Sequence, residues 1–123
     1  MDCHLVTSGD LTKEEVSREL REISSVYEGD HFDVRLRACR RCGQLFLYCF
    51  RKHTTPDWRE EDWAFWVPVA PTEAQEVIGS HQLYRAVGRI VSTRPHLCLD
   101  PHGNLSWSKF GNMSIGQAVF PQI

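Results

Sequence analysis

Long apolar runs are missing from this chain. Its longest apolar cluster, Leu45 to Phe50, is cut off by Arg51 and Lys52, far short of a membrane span, so no membrane partner is expected. A surplus of either charge is missing as well. Lys and Arg total 14 against 16 Asp and Glu, a formal charge of -2, which gives no general pull toward nucleic acid or anionic lipid. The opening residues Met1-Asp2-Cys3-His4-Leu5 have no basic segment leading into an apolar run, so no secretory signal is expected. Cysteine is present at an odd count of 5, without the spacing of a disulfide framework, and a reducing cytoplasmic setting follows as the simpler expectation. The Gly-rich phosphate loop, the His-Glu-x-x-His helix and the Gly-x-Ser-x-Gly elbow are all absent, as are internal repeats and low-complexity tracts.

What the chain does contain is enough for one hydrophobic core and too little for two. Its 123 residues are therefore expected to form a single domain, 1–123. The organising stretch runs from Phe32 to His53. Phe32, Val34, Leu36 and Ala38 alternate with Asp33, Arg35 and Arg37, the period of a half-buried strand. The return run from Gln44 to Phe50 is apolar on both faces and belongs in the middle of a sheet.

Between the two runs lies Cys39-Arg40-Arg41-Cys42-Gly43. Two thiols at this spacing on a hairpin tip can point at one tetrahedral ion, and a glycine behind the second lets the backbone turn with positive φ. Residues 39 to 47 resemble half of the knuckle found in zinc ribbons, and the resemblance implies zinc held by Cys39 and Cys42. A complete ribbon carries a second pair at the same spacing, which this chain does not have. A redox Cys-x-x-Cys opens a helix, whereas strand residues follow here, so redox chemistry is the weaker alternative and plain structural thiols the other one.

For the remaining ligands, Cys49 and His53 lie too far up the second strand, at about 3.3 Å per residue. His96 and Cys98 sit two apart on a predicted strand, project from one face and complete the expected set Cys39, Cys42, His96 and Cys98. Cys3 and His4, on an N-terminal end that can fold over the tip, are the competing pair.

Around the hairpin, Thr12 and Glu15 form a capping box with Leu11 and Val16 as a staple. The stripe Val16, Leu20, Ile23, Tyr27 then predicts a helix over 12–27, stopped by Gly29. Residues 1–10 read as a polar lead-in. Trp63 to Val69 reads as a strand, with Pro68 placing it at an edge or at its end. A helical region near 72–93 starts with Thr72 as cap and Gln75 three residues on. A terminal hairpin follows, with strands at 96–100 and 105–107. The expected fold is α+β: an antiparallel sheet built on the central Cys-x-x-Cys-Gly hairpin, with the N-terminal helix and the 72–93 region packed against it.

Two surfaces suggest partners. Arg35 and Arg37 share a face and could contact phosphates with Tyr48 or Phe46 for stacking. The lack of a basic excess favours instead a solvated face balanced by Glu60, Glu61 and Asp62. Trp58, followed by Arg59, Glu60, Glu61 and Asp62, has the make-up of a partner-binding anchor inside a charged rim. In size and class the chain resembles bacterial toxin-neutralising or adaptor domains, which implies a binding module with a protein partner. A nucleic-acid-binding zinc knuckle, or a thiol- or metal-dependent enzyme using the Arg-rich hairpin, is the alternative.

Overall fold

A computed structural model describes residues 3–7 and 11–108; the segment 109–123, which reads in the sequence as either an irregular segment or a docked arm, lies outside the described residues. In chain order the elements are α1 (His4–Thr7), α2 (Lys13–Glu19), β1 (Leu20–Glu28), β2 (Phe32–Cys39), β3 (Leu45–Thr54), β4 (Glu60–Val69), α3 (Pro71–Ile78), α4 (Leu83–Thr93), β5 (His96–Leu99) and β6 (Leu105–Ser108).

The capping box at Thr12 forms as read. The Glu15 amide donates to Thr12 Oγ1 at 3.1 Å and the Thr12 amide donates to Glu15 Oε1 at 3.3 Å. The helix it starts is much shorter than 12–27. It ends at Glu19, and Leu20 is already extended, with φ -108° and ψ 135°. Residues 20–28 form the strand β1 instead. Val26, Ile23, Ser24 and Ser25 are poor helix formers, so little local preference resists the change. The antiparallel pairing of β1 with β2 decides the outcome, because it satisfies a backbone edge that β2 would otherwise leave open. Leu20 stays buried, but Ile23 and Tyr27, the lower half of the expected stripe, are 43% and 48% exposed. Register shifts between Glu22 and Ser24 and between Ser25 and Tyr27 break the period-2 alternation, which is why the segment does not read as a strand. Gly29 still ends the element, now as a turn into β2. A Cβ there would lie 2.9 Å from the Tyr27 ring and 3.0 Å from the Phe32 carbonyl.

The six strands form one antiparallel sheet in the order β1-β2-β3-β4-β5-β6. At its centre β3 and β4 pair without interruption from Leu45↔Val69 to Thr54↔Glu60. Both faces are covered, which is why β3 is apolar on both sides. On one face Val34, Leu36, Leu47, Cys49, Phe65 and Val67 pack under α3 and α4 through Ala74, Val77, Val87 and Val91. On the other, Phe46, Ala64, Trp66 and Leu97 meet Leu5 of α1 and Val16 of α2. The first residues are therefore no solvated lead-in: Cys3 and Leu5 are core. Pro68 lies beyond Trp66, the last residue of β4 paired to β5, so the ladder on that side has ended before it.

The helical region is two helices, with the break at Gly79. Its cap is two residues earlier than Thr72: Ala70 is the N-cap, Pro71 follows it, and the Ala70 amide donates to Glu73 Oε1 at 2.8 Å. Arg94, at the far end of α4, donates to the same carboxylate and, at 3.2 Å, to the Pro68 carbonyl, tying the helical pair to the end of β4. The Arg94 guanidinium is the main reason the Glu73 carboxyl is held down to about 2. A carboxyl depressed by folding adds stability that is complete above its unfolded value near 4.5 and is lost as pH falls toward 2. Melting temperatures measured across that window should therefore fall more steeply for the native chain than for Glu73→Gln, which should be less stable at neutral pH.

Candidate metal centre

The turn between β2 and β3 is closed by three backbone features. The Cys39 amide donates to the Gln44 carbonyl and the Gly43 amide to the Cys39 carbonyl, each at 2.9 Å. Gly43 has φ 80°, and no atom lies within 4 Å of where its Cβ would be, so glycine is needed for conformation and not for space. The Gln44 side chain then donates to the carbonyls of Leu45 and Val69, fastening the turn to β4.

The same turn is fastened to α2. The Arg40 amide donates to the Glu19 carbonyl at 2.8 Å and Arg40 Nε to the Arg18 carbonyl at 3.0 Å, satisfying carbonyls that the end of a helix leaves open. Arg41 pairs with the Glu19 carboxylate at 2.9 Å. The two arginines between the cysteines thus hold the turn against the N-terminal helices.

That arrangement delivers a third thiol. Cys3, just ahead of α1 and buried beside Leu5, brings its sulfur to Cys39 and Cys42, and the three Sγ atoms lie within 4.8 Å of one another. Sulfurs around a tetrahedral ion with 2.3 Å bonds stand about 3.8 Å apart, so these atoms could hold a metal ion after small adjustments. Cys3 and Cys39 are buried and Cys42 is exposed. Burial above all pushes the Cys3 thiol up to about 12, while a hydrogen bond with the Gln44 backbone lowers that of Cys42. His4 Nδ1 sits 3.7 Å from Cys39 Sγ and its Nε2 is 3.9 Å from Glu19 Oε2.

Of the two competing ligand pairs, the fold brings Cys3 to the tip. His96 and Cys98 do not join that group. They lie on β5, separated from β2 by both β3 and β4, and Cys98 packs in the core of the opposite face. His96 is buried with Nδ1 3.0 Å from the Arg94 carbonyl and its ring edge-on to Phe65, and burial lowers its pKa. Burial pushes the Cys98 thiol up to about 12. Asp100 and His102 belong to a turn: Asp100 Oδ1 accepts the amides of His102 and Asn104 at 2.9 Å each, and neither residue joins the three-sulfur group.

Arg35 and Arg37 find partners that sequence reading missed. Arg35 pairs with Glu22 at 3.0 Å and Glu28 at 3.5 Å, and Arg37 pairs with Glu22 at 3.8 Å and lies over the Tyr48 ring. Glu60, Glu61 and Asp62 are not the balancing charges of this face. Of these three, Glu60 pairs with Lys52 at 3.5 Å. The cause is again β1, which as a strand carries its acids alongside the arginines.

Trp58 stands at the tip of the β3–β4 hairpin, 86% exposed, with φ 66°. The loop beneath it is well tied. Thr55 and Arg59 exchange main-chain and hydroxyl hydrogen bonds, the Trp58 amide donates to the Thr55 carbonyl, and Asp57 accepts from Thr55 Oγ1 and Arg59 Nε. Glu60 and Asp62 are exposed and Glu61 half-buried along the adjoining strand.

No protein-family model, curated protein or solved structure matches this chain. Among the described residues no helix is long and apolar enough to cross a membrane. The exposures of the thiols make a direct test of the centre. In the native protein without added metal, iodoacetamide should modify Cys42 first, and Cys49 and Cys98 only after denaturation, as read by peptide mass spectrometry.

Proposed function

We propose that this chain is a zinc-stabilised, protein-binding module of the reducing cytosol, with Trp58 as the anchor of its partner surface. The observation that carries the reading is Trp58 itself. A large aromatic 86% exposed, at a positive φ that non-glycine residues seldom adopt, is held in place by a hydrogen-bonded loop. Such an anchor reaches a partner already ordered, so little conformational entropy is lost on binding. Glu60, Glu61 and Asp62 supply a rim that selects the partner's charge and sets the association rate. With Arg35 and Arg37 engaged by Glu22 and Glu28, a protein partner is favoured over a nucleic acid.

Zinc is the ion of choice for a site of thiolates, and its role here is structural support. Closing the trio ties Cys3, and with it α1, to the β2–β3 turn, so the binding energy of the ion becomes folding energy. Five free thiols suit a reducing compartment.

The two parts of the reading are tested separately. Elemental analysis of the purified chain should find about one equivalent of zinc, and Cys39→Ser should lose it together with part of the melting temperature. Trp58→Ala should keep both, yet weaken capture of a specific partner from the native cytosol by about 2 kcal/mol or more. Equal capture by Trp58→Ala and the native chain would remove Trp58 as the anchor.

A further inference from the structure

We infer that the metal site of Cys3, Cys39 and Cys42 keeps its fourth coordination position open toward a neighbouring cavity, where it takes a thiolate from outside the chain. This rests on the metal reading above and extends it from a structural ion to a ligand-binding one.

Three observations carry the inference. The first is the donor count. Among the described residues the only group of donors that converge within 4.8 Å is the three sulfurs. His4 Nδ1 comes within 3.7 Å of Cys39 but not within that mutual distance of all three sulfurs, and its Nε2 lies 3.9 Å from Glu19, so it stands beside Cys39 without joining the trio. A zinc ion with three protein ligands binds an exchangeable fourth.

The second is where the open side leads. A cavity of about 560 Å³ is lined by Cys3 and Cys42 together with Gly43, Leu45, Pro68 and Pro71. Cys42 is exposed and Cys39 is not among the lining residues, so the cavity meets the trio on the side of Cys3 and Cys42. The volume suits a small molecule and the walls are mostly apolar.

The third is chemical fit. Soft sulfur donors suit an ion already held by thiolates, and apolar walls favour a thiol's hydrocarbon part over bulk water. On binding, the incoming thiol releases its proton to solvent and its sulfur takes the place of a coordinated water; no electrons are transferred. The thiol can come from a small molecule or from a second copy of the chain.

Cobalt(II) titration of the full chain, reduced and freed of metal, distinguishes the cases. The expected spectrum has a sulfur-to-cobalt charge-transfer band of three thiolates, reduced by at least about a third in Cys42→Ser. Adding 2-mercaptoethanol should raise the native band by about a third and shift the visible d–d bands. Four-thiolate intensity before any addition, together with a dimer in sedimentation, assigns the fourth thiolate to a second copy and also supports an open position. Four-thiolate intensity in a monomer overturns it. So does a three-thiolate spectrum indifferent to 2-mercaptoethanol, and its alteration by His4→Ala would show that His4 is the group that closes the site. Absence of any charge-transfer band overturns the metal reading itself, and this inference with it.

Discussion

The uninterrupted ladder between β3 and β4 is the constraint from which the other features follow. Its pairing from Leu45↔Val69 to Thr54↔Glu60 places one apolar row on each face, with Leu47, Cys49, Phe65 and Val67 on one and Phe46, Ala64 and Trp66 on the other. A sheet that is apolar on both faces must be covered on both, and the two sets of helices do this. The ladder also fixes its two ends. One end is the Trp58 hairpin; at the other, the Gln44 side chain reaches the Val69 carbonyl beside the cysteine turn. The two candidate sites therefore sit at opposite ends of the same rigid pair of strands.

The cysteine centre shows how a weak local motif becomes a site. Cys39 and Cys42 alone are two thiols on a turn. The arginines between them bind the carbonyl end of α2, α2 and α1 pack on the same face through Val16 and Leu5, and Cys3 is thereby carried to the turn. An ion held there would join the N-terminal segment to the sheet. Losing it would loosen α1 first, because Cys3 is the ligand most distant in sequence from the others.

The Arg face shows the opposite outcome. Arg35, Arg37, Arg40 and Arg41 all find acidic, carbonyl or aromatic partners. A face already engaged in this way has fewer charges available for phosphate than its composition suggests. Trp58 contrasts with them, its side chain left almost wholly in solvent.

Local signals in the sequence were enough for several elements. The Thr12–Glu15 capping box, the period-2 alternation of residues 32–38, the two-faced apolar run of 44–50, the turn glycine at 43 and the Asp100–Asn104 turn each depend on neighbours a few residues away, and each forms. An α+β domain with an antiparallel sheet was legible from them. The strand at 20–28 was not. Its apolar residues fall at helical spacing because two register shifts disturb its alternation, and what holds it is the β2 backbone together with Arg35, which reaches Glu22 and Glu28. The third thiol was legible only as one of two choices, Cys3 with His4 or His96 with Cys98. Sequence spacing says nothing about which face of a sheet a distant residue occupies. Tertiary packing decided it by burying Leu5 on the face of Cys39 and Cys98 on the other.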